Sequence, residues 1–410
     1  MDSTRRDFIG AAGFTVVASR LVRGTEANSA VGVGLLGCGG RGTAEADSMV
    51  KNAGARIVAL GDLFQDQLDR AGQHFGNPAL VFRGPHAFEE MAASAGVDAI
   101  VIATPPYFHP QHLRAAVEAG KHVYCEKPVA VDVPGTRHVL ESGRRAEGWL
   151  SLEVGFQIRN APPFVELVKR IHAGAVGEIG CGEAHYYCPY MGASHPDAPP
   201  AQMRLRNWLH DRVLSGDIIV EQNIHALDVC NWVLQGHPVK AIGAGGRKGR
   251  PSANDNCLGN CSVCFWYPGD VQVAFSSKQI GKGPFDVSEQ FFGTRGSAQS
   301  PYSGPLGVAG DEAWIWPGSE KKTAAEFSAT GSFFDNLADA DAEKHRSFIE
   351  SITSGHHHNQ AALGVESSLT AMLGRTAIYT GREVTWEELG RSEEKWDAGI
   401  DLEKMTSSLS

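Results

Sequence analysis

The 410-residue chain has no apolar run approaching the ~20 residues a helix needs to cross a bilayer, so a helical membrane span is not expected. No run of Lys or Arg exceeds two residues, and the formal net charge is −10. Nucleic acid is therefore excluded as a partner, because phosphate binding needs a concentrated positive footprint. Charged residues make up only 20% against 42% hydrophobic, which excludes wholesale disorder. The eight cysteines are too scattered for a disulfide framework. Cys257, Cys261 and Cys264 cluster, but no fourth ligand lies near them, and on a strand Cys261 and Cys264 would face opposite sides. His356, His357 and His358 follow Ser354-Gly355 and read as an exposed helix end. No metal is expected. What remains is a soluble chain long enough for two or three domains.

Residues 1–30 read as an address rather than as fold. Thr4-Arg5-Arg6-Asp7-Phe8-Ile9 sets paired arginines before a mild Gly/Ala-rich run, and Ala27-Asn28-Ser29 offers a small-residue cleavage site. This resembles a twin-arginine export signal and predicts a periplasmic or otherwise exported protein. No cysteine follows the signal, so no lipid anchor is expected, and the processed protein should not associate with membrane. Such export carries folded proteins, often ones loaded with a cofactor. Residues 31–156 are expected to bind a nucleotide and residues 157–390 a substrate and other subunits, with 391–410 a tail.

The apolar stretch Val31 to Leu36 runs directly into Gly37-Cys38-Gly39-Gly40-Arg41-Gly42. Glycines at 37, 39 and 42 let a chain turn tightly and bring backbone amides against a pyrophosphate at a helix N-terminus. A second strand, Arg56 to Leu60, leads to Asp62, placed to bind the ribose hydroxyls of an adenine nucleotide. Asp62 would repel a 2′-phosphate and is followed by Leu63 and Phe64 rather than Arg, which favours NAD over NADP. Val97 to Ala103 and Lys121 to Cys125 read as further strands, separated by a helix over 111–119. Alternation of this length means a parallel sheet, with ligands beyond the strand C-terminal ends. Thr104, Pro105, His109, Glu126 and Lys127 all fall there.

Gly37-x-Gly39-x-x-Gly42, Asp62, Thr104-Pro105-x-x-x-His109 and Glu126-Lys127-Pro128 together resemble the glucose–fructose oxidoreductase/inositol dehydrogenase/MocA family (Gfo/Idh/MocA). Gly155-Phe156-Gln157-x-Arg159, Gly174-x-x-Gly177-Glu178-Ile179 and the stretch 364–384 extend the likeness over most of residues 31–390. The resemblance implies an α/β protein: a Rossmann domain followed by an α+β domain with a large, mostly antiparallel sheet. It implies that Gly40, Arg41, Glu126, Lys127 and Gln157 join the glycines, Asp62, Thr104, Pro105 and His109 around the cofactor. It also implies that Lys127-Pro128 is often cis, and that the sheet pairs between subunits in a homo-oligomer, a dimer or tetramer.

After Gln157 the pattern changes. A helix is expected over 161–173, then strands over 182–187, 239–243, 262–267, 271–277 and 287–292, with Tyr267-Pro268-Gly269-Asp270 a turn between two of them. The densest chemistry is in Gly216 to Asp228. If this stretch is one helix, Glu221 and His225 stand four apart on one face. The family usually carries Asp where Glu221 stands.

Oxidising a secondary alcohol needs a hydride acceptor and a base. NAD would supply the first, and His225 suits the second near neutral pH. Lys127 can steady the developing alkoxide, and Glu221 can orient His225 or bind a neighbouring hydroxyl. Arg159, His185, Tyr186, Tyr187 and Trp208 are candidate contacts to a polyol. The expected function is an NAD-dependent oxidoreductase acting on a sugar, glycoside or cyclitol with tightly bound NAD. Two alternatives stand beside it. One is an NAD-dependent glycosidase acting by transient oxidation and elimination; the other is a non-catalytic sugar or nucleotide sensor.

Overall fold

The short apolar runs of the first half become strands buried on both faces, as a parallel sheet covered by helices requires. The protein, seen in a computed structural model, is described over residues 30–250, 255–320 and 335–407, so the export segment lies outside the described residues. The first sheet contains β1 (Gly32–Leu36), β2 (Arg56–Asp62), β3 (Leu80–Arg83), β4 (Ala99–Ile102), β5 (His122–Cys125) and β6 (Leu152–Val154). Their order is β3-β2-β1-β4-β5-β6 with every pair parallel, the doubly wound arrangement of a Rossmann domain. Helices Gly40–Ala53, His109–Glu118 and Val133–Ala146 are among the crossovers.

The second sheet contains β7 (Ile179–Cys188), β8 (Lys240–Gly246), β9 (Asn260–Tyr267), β10 (Val271–Gln279), β11 (Asp286–Gly293), β12 (Gly296–Gln299), β13 (Gly307–Gly310), β14 (Trp314–Ile315) and β15 (Val384–Thr385). Their order is β14-β13-β12-β11-β7-β10-β9-β8-β15, antiparallel throughout except for β7 beside β10. The turn at Pro268-Gly269-Asp270 joins β9 to β10 as its residues predict, with φ of 76° at Gly269. Side chains alternate: Ala184, Tyr186 and Cys188 of β7 and Val263 and Phe265 of β9 are buried, on the side where helices Ile224–Leu234 and Ala361–Thr380 pack. The opposite side carries the partly exposed His185 and Tyr187 and the exposed Ile242 and Phe292.

The segment 216–228 is not one helix. Asp217, at φ 77°, launches a single turn, Ile218–Glu221, and caps it by accepting from the Ile218 N–H at 2.7 Å. The chain breaks at Gln222-Asn223 and begins again as Ile224–Leu234. Past residue 390 the chain does not trail away. Ala398 and Met405 are buried against Phe64, Leu205 and Leu214, beside the parallel sheet.

Candidate active site

At the end of β1, Gly37 adopts φ +95°, and a Cβ there would lie 2.6 Å from the Ala103 carbonyl. Gly42 is equally constrained, since its Cβ would sit 2.1 Å from the Gly37 oxygen. Gly39 and Gly40 differ: a Cβ on either would meet nothing within 4 Å. Their backbone therefore borders open space at the start of helix Gly40–Ala53, where Gly39 provides no side-chain cap. Uncapped N–H groups at a helix start suit a phosphate anion. Asp62, at the tip of β2, accepts from the Cys38 amide at 2.7 Å and the Phe64 amide at 2.9 Å. Burial raises the Asp62 carboxyl pKa against the pull of these amides. A cleft of about 260 Å³ runs from the glycines past Asp62 to Thr104 and Pro105. These residues fit a dinucleotide, the pyrophosphate against Gly39 and Gly40 and a ribose against Asp62.

His109 does not line this cleft. It is buried, with Nδ1 2.7 Å from the Pro128 carbonyl and Nε2 2.7 Å from the Thr104 carbonyl, so it ties two loops together. His112, one helical turn further on, does line the cleft, and sequence reasoning missed it. Its Nδ1 lies 3.0 Å from Thr104 Oγ1, it stacks on Phe108, and burial lowers its pKa to about 3. The i, i+3 spacing of the two histidines was the available signal. Arg41, Glu126 and Gln157 meet one another: the guanidinium donates to Glu126 at 3.0 Å and to Gln157 at 3.1 Å. Arg41 also pairs with Glu45, which Lys344 and His345 reach from helix Ala340–Ser354. Burial disfavours the Glu45 carboxylate, yet Arg41 and Lys344, with the hydrogen bond to His345, hold it well below the usual range.

The peptide Lys127-Pro128 is cis. Lys127 Nζ donates to the Glu221 backbone carbonyl at 2.6 Å and to its carboxylate at 2.9 Å. The single turn ending at Glu221 presents both oxygens to one ammonium. Glu221 therefore partners Lys127, and among the described contacts it forms no hydrogen bond with His225. His225 is 7% exposed and its Nδ1 has no hydrogen-bond partner. Burial first, then the charges of Lys127, Arg41 and Lys344, push its pKa well below 6.5. It is a neutral imidazole with an unused, buried nitrogen.

Three substrate candidates sit elsewhere. Arg159 forms a two-pronged pair with the buried Asp228 at 2.8 and 3.0 Å, and Ser367 donates to the same carboxylate at 2.6 Å, so the Nε edge of the guanidinium is held inside the fold. His185 and Tyr187 stack on each other at 4.6 Å on the outer side of the second sheet, where Tyr187 bonds Ser276 at 2.6 Å. Tyr186 points the other way, where burial first, then the neighbouring Cys188 and Glu221, raise its pKa. Trp208 lines the dinucleotide cleft, together with His195 and Arg206. Sequence reasoning also missed Gln222 and Gln279, buried and hydrogen-bonded to each other beside Glu221. Among the described residues, no group of three or more His, Cys, Asp or Glu is placed to hold a metal ion.

A Rossmann half with its glycine cradle, its acid and Lys127 just past β5, joined to a half whose helix Ile224–Leu234 carries His225, defines a two-domain NAD-binding oxidoreductase. Residues 31–154 match the model of an oxidoreductase family with an NAD-binding Rossmann fold, and residues 164–299 match the GFO/IDH/MocA C-terminal domain. The chain belongs to the GFO/IDH/MocA family. It is 26% identical to an inositol 2-dehydrogenase of Rhizobium meliloti over 78% of this chain and 88% of that one. It is 24% identical to a myo-inositol 2-dehydrogenase of Thermotoga maritima, over 87% of this chain and 99% of that one. Among solved structures, scyllo-inositol dehydrogenase from Lactobacillus casei with bound NAD(H) and scyllo-inositol superposes with a TM-score of 0.68 at 20% identity. That match covers 87% of this chain and 99% of the other, and it speaks to the fold.

Proposed function

We propose that this protein oxidises a secondary hydroxyl of a sugar, glycoside or cyclitol, with NAD as the oxidant. The observation that carries the reading is the Lys127–Glu221 pair set with a neutral, buried His225 beyond the C-terminal end of β5. An ammonium has three N–H donors. Glu221 takes two of the Lys127 donors, and the third is left for the reacting hydroxyl, where it would stabilise the developing alkoxide. His225 takes the hydroxyl proton, and its lowered pKa keeps it unprotonated and ready at neutral pH. NAD, when bound, supplies the hydride acceptor. Gly39, Gly40, Asp62 and Thr104 would hold it along the cleft. The two inositol dehydrogenases support a cyclitol or a related polyol as substrate. The paired arginines at Arg5-Arg6 support export of a folded, loaded chain, and Ile242 and Phe292 on the outer side of the second sheet support a homo-oligomer.

The test is a single-turnover screen of inositols, free sugars and nonreducing glycosides against the NAD-loaded protein. Absorbance of bound NADH and the mass of the product are read together. A ketone two hydrogens lighter than the substrate is expected. Release of an aglycone from a glycoside without net oxidation would overturn the reading in favour of elimination chemistry.

A further inference from the structure

The adenosine end of the cleft is walled by two segments from outside the Rossmann half. One is the stretch holding His195, Arg206 and Trp208. Arg206 reaches across to Asp66 at 2.7 Å and lays its guanidinium 3.9 Å over the Phe64 ring, just past Asp62. The other is the chain beyond residue 390, whose Leu402 lines the same cleft. This second wall is anchored at several points. The Trp396 amide donates to Asp132 at 2.8 Å, and Arg375 covers the Trp396 ring at 3.9 Å. Arg204 donates to the Ala398 carbonyl at 2.7 Å, and Ala398 and Met405 are buried. The segment thus ties the Rossmann half to the loop opposite and lays an apolar side chain along the opening.

We propose that residues 396–405 are a retaining strap that slows dinucleotide release, with Leu402 as the closing side chain; this rests on the NAD-binding reading of the cleft. An enzyme that exchanges NADH with solution at each cycle needs this end open. Here Leu402 and Arg206 both line the cleft in which Asp62 would hold a nucleotide, so the strap stands along its way out. Among the described contacts none of these anchors touches Lys127 or His225, and release of dinucleotide is read without turnover.

The experiment uses the full chain and dinucleotide alone. Wild type, Leu402→Glu, Trp396→Ala and the volume-conserving Leu402→Met are loaded with NADH. Release is followed by the loss of bound-NADH fluorescence after dilution into excess NAD, and melting temperature is recorded for each. Release roughly tenfold or more faster in Leu402→Glu and Trp396→Ala than in wild type is expected, equivalent to about 1.4 kcal/mol at the cleft. Leu402→Met should hold like wild type. Equal release rates in all four proteins would overturn the strap and leave the NAD reading intact. Failure of every variant and of wild type to bind NADH would overturn both. If Leu402→Glu does not fold, Trp396→Ala decides alone.

Discussion

Lys127 and Glu221 are joined twice, through the Glu221 backbone carbonyl at 2.6 Å and its carboxylate at 2.9 Å, so one residue holds the ammonium with two oxygens. The backbone contact survives any side-chain change at 221, whereas the carboxylate contact does not. Replacing Lys127 with Met is expected to lower single-turnover oxidation by roughly 10²- to 10⁴-fold while dinucleotide still binds. Glu221→Gln should cost less, because the carbonyl still holds the ammonium. Rapid-mixing absorbance of bound NADH measures both, and a fully active Lys127→Met would remove the lysine from proton handling.

His225 disfavours charge in the folded protein, with a pKa below 6.5. The base works when unprotonated, so the oxidation rate should be level through neutral pH and fall only as pH drops through that lowered pKa. Stability follows the same sign: the unfolded chain binds the proton more readily, and stability is lost as pH falls below about 6.5. A pH profile of the rate beside that of His225→Gln, which should lack the acid limb, checks this.

Asp62 is the cleft's acid, and two backbone amides aim it. Asp62→Asn should weaken NAD binding by about tenfold and narrow the preference over NADP. Titration calorimetry with both dinucleotides would show it, and unchanged selectivity would place the ribose elsewhere.

Arg159 pairs with Asp228, whose side chain is 1% exposed. Arg159→Leu strands a buried carboxylate and should cost about 3 kcal/mol of stability. If Arg159 instead touches substrate, the loss appears in KM with the denaturation midpoint unchanged, so urea unfolding and kinetics on one preparation separate the two.

What could be read from sequence was local. The glycine turn, Asp62 and Glu126-Lys127 stand within a few residues of the strand that presents them, and strand ends in a parallel sheet already locate ligands. The break at Gln222-Asn223 was not legible, because apolar residues flank it on both sides and the pattern runs straight through. The side on which His185 and Tyr187 lie was hidden for another reason. Alternation along β7 gives two faces but does not say which one helix Ile224–Leu234 will cover. His109 and His112 differ only in which neighbour each ring meets. Trp208 reaches the dinucleotide cleft across a tertiary contact that no spacing encodes.

The strap's place in the chain sets an order of assembly. The glycine turn and Asp62 leave the ribosome long before Leu402 is made, and early parts of a chain begin to fold as they emerge. During that interval the cleft stands without one of its walls and can take up a dinucleotide from the cytosol. Packing of residues 396–405 would then close over the occupant. Under the proposed strap, a dinucleotide taken up before residues 396–405 pack would be held once they do.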